Sequence, residues 1–267
     1  MNSEDIREYN NAIKYIATEF VIPYSGTNIH PQYFNDIPKL RQLVNDYLTT
    51  YQDKISDPIS EKIDIMLQYE LSQKQLFDFR NFHPIGNKYQ IYLWKGDITT
   101  LNIDCIVNAA NSKGLGCFTR GHKCIDNIIH SRAGPRMREE CKTRLQNNVI
   151  ESGNLIISQG YNLPSRYVFH TVGPIYSSNK TTCRLDLIKC YLNCLNTLKN
   201  IKKTSIAFPC ISTGEYGYPK NEATIIALNT VKRWLHDNQD YKIYVIFCVY
   251  TDEDLKNYSL HIPTIFN

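Results

Sequence analysis

At 267 residues, 42% of them hydrophobic and 21% charged, the chain has globular composition and enough length to bury a core without covalent staples. Thirty basic against 26 acidic residues leave a net charge of +4 spread along the chain, with no long basic block, so nucleic acid is not expected as a partner. Nine cysteines, an odd number, speak against a fully paired disulfide framework and leave thiols for metal binding.

The opening stretch, MNSEDIREYNNAIKYIATEF, carries charges where a signal peptide needs an apolar run, so a cytoplasmic, intracellular protein is expected. From residue 4 to about 75, apolar positions recur at helical spacing, first Ile6, Tyr9, Ile13 and Ile16, later Leu40, Leu43, Val44 and Leu48. Asp57-Pro58 interrupts the pattern and suits the cap and first position of a further helix. Two or three helices are predicted here. His83-Pro84-Ile85-Gly86-Asn87 then breaks the helical pattern, placing a boundary between a helical extension, 1–83, and a larger domain, 84–267.

Beyond the boundary, short β-branched and aromatic runs predict strands at 89–94, 105–108, 155–158, 167–171, 205–208 and 242–250. Helical patterns fall between them at 124–133, 136–145, 186–199 and 222–236. This alternation predicts an α/β layered domain with a largely buried sheet, whose ligand crevice lies off the carboxyl ends of the strands. The longest apolar run, 243–250, is far shorter than the ~20 residues that cross a bilayer, so it reads as a buried strand and no membrane association is expected.

Four segments follow strands: Gly96-Asp97-Ile98, Asn108-Ala109-Ala110-Asn111, His170-Thr171-Val172-Gly173-Pro174 and Ile211-Ser212-Thr213-Gly214-Glu215-Tyr216-Gly217. Each alone is explained by turn and capping chemistry. The last of them, between a strand and a helix, also has the makings of a backbone cradle for a diphosphate without a lysine. Cys117, His122 and Cys124 are sharper, since Cys-x4-His-x-Cys puts three zinc-compatible ligands within eight residues. Three ligands leave a coordination position open, as catalytic sites do. Spacing alone leaves open the alternative of a core cysteine, an incidental loop thiol and a solvent-facing histidine. Asp126 falls in the first turn of the following helix, where a carboxylate complements the helix dipole or faces the metal. Cys-x-x-Cys, His-Glu-x-x-His, the phosphate-binding Gly-x4-Gly-Lys-Ser/Thr and Gly-x-Gly-x-x-Gly are all missing, which removes support for deamination, zinc proteolysis, nucleotide hydrolysis and hydride transfer.

Taken in order from about residue 91 to 252, these segments resemble the macrodomain family, and specifically its zinc-containing branch of protein-ADP-ribose hydrolases. The resemblance is carried by Trp94-Lys95-Gly96-Asp97-Ile98-Thr99, Asn108-Ala109-Ala110-Asn111-Ser112, Gly116-Cys117 with His122-Lys123-Cys124-Ile125-Asp126, Phe169-His170-Thr171-Val172-Gly173-Pro174 and Ile211-Ser212-Thr213-Gly214. It implies an α/β macrodomain, a mixed central sheet sandwiched by helices, with a helical amino-terminal extension. It further implies that Asp97 receives the adenine amino group and Ile98 lines the same pocket. Asn111 would hold the distal ribose, while Ser212, Thr213, Gly214, Glu215 and Tyr216 surround the diphosphate and ribose. Cys117, His122 and Cys124 would bind Zn2+, with Ile125 and Asp126 close to the ligand. The implied activity is removal of mono-ADP-ribose from modified proteins, at aspartate or glutamate esters, with Asn111 and Asp126 as catalytic residues and zinc as a Lewis acid. The expected partners are ADP-ribose and mono-ADP-ribosylated protein. Three competing readings stand beside it: a non-catalytic ADP-ribose reader, a hydrolase of small derivatives such as O-acetyl-ADP-ribose, and a structural zinc site in an interaction domain.

Overall fold

The computed structural model describes residues 3–26, 28–85 and 88–266. Gly86 and Asn87 of the expected interdomain break lie outside the described residues. Internal contacts divide the chain into two compact units. One takes the residues up to Gln75 together with 116–140 and 161–163, and the other takes 76–115, 141–160 and the rest.

In the first unit, α1 (Ser3–Ile16) runs through a π-type turn (Ala17–Val21) into α2 (Ile22–Ser25), and Gly26 ends it in the left-handed conformation. Asp36 opens α3 (Ile37–Thr50) by accepting the Lys39 N–H. Helix α4 (Asp57–Ser72) begins one residue earlier than the sequence suggested, with Ser56 at the cap and Asp57 inside the first turn. The apolar faces of these helices bury Ile13, Ile16, Val21, Leu40, Val44 and Ile63 in a core of their own. The same unit contains α5 (Ile125–Ala133), capped by Cys124, and the start of α6 (Pro135–Leu145).

The second unit is built on six strands: β1 (Gln90–Lys95), β2 (Cys105–Ala109), β3 (Leu155–Gln159), β4 (Tyr167–Thr171), β5 (Ser205–Phe208) and β6 (Tyr244–Val249). They form one mixed sheet in the order β1-β6-β5-β2-β4-β3. Every pairing is parallel except β3 with β4. All six correspond to predicted strands. Helices α7 (Lys180–Asn200), α8 (Lys220–Asp237) and α9 (Asp252–Phe266) flank the sheet, burying Tyr191, Val231 and Tyr258 with Phe169, Phe208 and Phe247 of the strands. Strand β5 is buried throughout, which explains the apolar run Ile206-Ala207-Phe208, and its one polar side chain, Ser205, is satisfied by Asp104. No described helix is long and apolar enough to cross a membrane.

Because β1, β6, β5, β2 and β4 run the same way, their carboxyl ends emerge along one edge of the sheet. That edge carries, in spatial order, Asp97, Tyr250, the 209–217 loop, Asn111 and the Val172-Gly173-Pro174 segment.

Candidate functional site

At the β1 end, Asp97 caps the short helical turn Ile98–Thr100, its Oδ1 accepting from the Thr99 N–H at 3.0 Å and the Thr99 hydroxyl at 2.6 Å. Ile98 beside it is buried. The register pairs Lys95 with Val249, and the Gly96 N–H donates to the Val249 carbonyl, so Tyr250 lies next to Gly96 and Asp97. Tyr250 is 72% exposed, a large aromatic side chain at the carboxyl end of β6. Sequence reasoning absorbed Tyr250 into the buried strand. The available signal was its position, last in the apolar run and just ahead of the polar Thr251-Asp252-Glu253-Asp254 segment.

At the centre of the edge, Asn111 folds its own turn, with Oδ1 accepting the Lys113 N–H and its carbonyl accepting the Gly114 N–H. The loop after β5 carries Ser212 at φ 67, a left-handed conformation that costs a non-glycine residue about 1–2 kcal/mol. Its hydroxyl is buried and has no hydrogen-bond partner among the described residues. A strained serine with an orphaned hydroxyl, between a buried strand and a helix, is the kind of local cost that function retains. Thr213 turns its N–H and hydroxyl back to the Cys210 carbonyl, and the Tyr218 N–H closes the loop on the Ser212 carbonyl. Gly214 meets nothing within 4 Å of where a β-carbon would stand, leaving its backbone open to approach. Glu215 is exposed, while Tyr216 packs against the cluster of Ala110, Leu145, Ile150 and Val172. The diphosphate-loop candidates and the Asn111 segment are therefore neighbours on adjacent strands.

In the other unit, the ligand atoms of Cys117, His122 and Cys124 all lie within 4.8 Å of one another. Cys117 Sγ is 3.3 Å from His122 Nδ1. A tetrahedral zinc with bonds of about 2.3 Å to sulfur and 2.0–2.1 Å to nitrogen holds such atoms roughly 3.6–3.8 Å apart, so the trio fits the ion. Cys124 occupies the cap of α5, its sulfur accepting the Asn127 N–H at 3.4 Å. Burial pushes the Cys124 thiol up to about 11 despite that bond. Burial also opposes ionisation of Cys117, but hydrogen bonds from Thr119 and His122 outweigh it and hold this thiol below its ordinary value. Asp126 is buried in the first turn of α5, where the helix N-terminus favours its charge, and its carboxylate lies 3.6 Å from His130 Nε2. Gly116, with φ 88, lets the chain pass the His130 ring, since a β-carbon there would stand 2.8 Å from its Cγ. Ile125, the residue between ligand and carboxylate, is half-buried.

The Macro domain family model matches residues 107–227. A protein-ADP-ribose hydrolase of Staphylococcus aureus strain MRSA252 is 43% identical over 209 residues, 77% of this chain and 77% of that protein. A macrodomain of Oceanobacillus iheyensis, solved with ADP, superposes with a TM-score of 0.61 at 34% identity, over 67% of this chain and 93% of the other. A Trypanosoma brucei macrodomain solved with ADP-ribose gives a TM-score of 0.60 at 29% identity, over 79% and 92%.

Proposed function

This chain belongs to the macrodomain family, and on that premise we propose that it is a zinc-dependent protein-ADP-ribose hydrolase that releases mono-ADP-ribose from aspartate and glutamate side chains. The observation that carries the zinc-dependent part is the Cys117, His122 and Cys124 trio, three ligands at a spacing that fits zinc and leaves a fourth position open. Zinc held there supplies Lewis acidity at a sugar oxygen or water.

The chain's own residues do the rest. Asp97 takes the adenine amino group while its Oδ1 stays committed to Thr99, Ile98 closes the pocket, and the exposed Tyr250 ring stacks on the base. Backbone N–H groups of Ser212, Gly214, Glu215 and Tyr216 face the diphosphate, with Gly214 giving the close approach, while Thr213 shapes the loop by donating to the Cys210 carbonyl. Asn111 and Asp126 orient the distal ribose and the reacting linkage, and Ile125 adds an apolar contact. Glu215 is exposed and contributes its N–H, with its carboxylate held off the diphosphate because like charges repel. The partners are then ADP-ribose and mono-ADP-ribosylated protein, and the protein works in the cytoplasm.

The deciding experiment incubates the full chain with a protein mono-ADP-ribosylated on acidic side chains, with and without a zinc chelator, beside Cys124→Ala. Release of ADP-ribose that disappears on chelation and in the variant supports the proposal. Undiminished release after zinc removal would remove the metal from the mechanism. No release from zinc-loaded, ADP-ribose-binding protein would leave a reader.

A further inference from the structure

The loop bearing the three metal ligands takes partners from the amino-terminal helices of the same unit. Arg120, between Cys117 and His122, lays its guanidinium 4.8 Å from the centre of the Tyr47 ring on α3. Phe118 lies 4.8 Å from the Arg138 guanidinium, which also donates to the backbone carbonyls of Leu48 and Tyr51 at the end of α3. The Asn127 amide ties the loop to α5 by donating to the Cys117 carbonyl at 3.3 Å and the Thr119 carbonyl at 3.1 Å.

Helix α5 is held in turn. Arg132 Nη1 donates to Glu70 Oε2 on α4 at 2.9 Å. Glu70 also receives both Nε and Nη2 of Arg41 from α3, and the Tyr9 hydroxyl from α1. One half-buried carboxylate thus gathers three helices onto the helix that Cys124 caps. Beyond it, Asp64 pairs with Arg136 and accepts from Asn162, whose amide also donates to the Ala133 carbonyl at the end of α5. Both ends of the ligand-bearing segment are gripped by helices that contribute no ligand.

We propose that the amino-terminal helices are a brace for the metal loop, with Tyr47 acting through Arg120 and Glu70 acting through Arg132 to position Cys117, His122 and Cys124. The inference rests on the metal reading of that trio. Its physical basis is preorganisation: a loop ordered before the ion arrives spends less of the coordination energy on its own ordering, and residues that orient ligands control how tightly the ion is kept. Glu70 and Tyr47 are positioning residues in this scheme.

The test uses the full chain loaded with Zn2+ and follows its release to an excess of chromogenic chelator, with the visible spectrum of the Co2+-loaded protein as a second readout. The variants are Arg120→Ala, Arg132→Ala, Arg132→Lys and Cys124→Ala, and the melting temperature of each metal-free protein is recorded. The expected result is release about tenfold faster from the two alanine variants, an altered cobalt spectrum, and recovery in Arg132→Lys, which keeps a charge for Glu70. Release from both alanine variants at the wild-type rate, with binding lost in Cys124→Ala, overturns the brace and leaves the metal site standing. A wild-type chain that takes up neither ion overturns both. Should Arg132→Ala fail to fold, the exposed Arg120→Ala decides alone.

Discussion

Gly173 and Ser212 approach so closely that a β-carbon on Gly173 would stand 2.0 Å from the Ser212 hydroxyl and 2.7 Å from Ile211 Cγ2. The segment after β4 therefore sets the position of the loop after β5, and alanine at 173 must push that loop outward. Gly173→Ala is expected to cost about 1–3 kcal/mol of stability and to weaken ADP-ribose binding by more than the stability loss alone explains. Adding Ser212→Gly removes one of the two clashing groups and relaxes the left-handed backbone, so the double variant should recover part of the loss. Urea unfolding and calorimetric titration with ADP-ribose measure both effects. Strict additivity of the two substitutions would contradict the contact.

Asp97 has a structural role and a proposed ligand role, and two substitutions separate them. Asp97→Ala removes the acceptor for the Thr99 N–H and hydroxyl, with an expected cost of about 1 kcal/mol in folding stability. Asp97→Asn keeps an oxygen acceptor for the cap, so its melting temperature should stay near that of the parent protein. Both should bind ADP-ribose more weakly if the carboxylate receives the adenine amino group. Wild-type affinity in Asp97→Asn would restrict this residue to capping.

The strands were legible because each is a compact β-branched or aromatic run closed by turn residues, such as Ser205 to Phe208 ahead of Pro209. Helix α7 starts six residues before the predicted 186 because its first turn, Lys180-Thr181-Thr182, is polar and reads as loop until Asn179 is seen capping Thr182. Helix α9 went unpredicted although Asp254, Tyr258, Ile262 and Phe266 recur every four residues. Pro263 inside it, which lacks an N–H to donate to the Ser259 carbonyl one turn back, suppresses the helical signal. The clustering of Cys117, His122 and Cys124 was visible as spacing. Glu70 was not, since a lone glutamate on a helix gives no sign in sequence that Arg41, Tyr9 and Arg132 converge on it from separate elements.

Zinc binding should stabilise the unit that holds its ligands. An ion that binds only the folded chain adds about 2.7 kcal/mol when present at a hundred times its dissociation constant. Added zinc is thus expected to raise the melting temperature of the wild-type chain and to leave Cys124→Ala unmoved. Since both thiols must lose a proton on coordination, the zinc-dependent rise should shrink as the pH is lowered. Scanning calorimetry of chelated and zinc-loaded protein checks this, and equal shifts in wild type and variant would place the ion elsewhere.

The Glu70 hub makes a different pH prediction, independent of metal. Burial would raise its pKa, but the hydrogen bonds and charge of Arg41, with the charge of Arg132 and the Tyr9 hydroxyl, reverse that and hold it below its ordinary value of 4.5. A carboxyl with a depressed folded pKa binds protons more readily unfolded. Its stabilisation is therefore complete above about 4.5 and is lost as the pH falls through the lower folded value. Tyr9 works in the opposite limb: burial first, then the charge of Glu70, lifts its phenol from 10.0 to about 12, so its contribution is complete below 10 and is lost as the pH rises through the folded value of about 12. Glu70→Gln keeps an acceptor but removes the charge, and near neutrality it should cost about 2 kcal/mol, the scale of hydrogen bonds to charged groups. Urea unfolding of the metal-free protein across the acid range should show the two proteins converging as the pH drops. A constant gap down to the lowest pH would mean that Glu70 stabilises the helices by shape and not by charge.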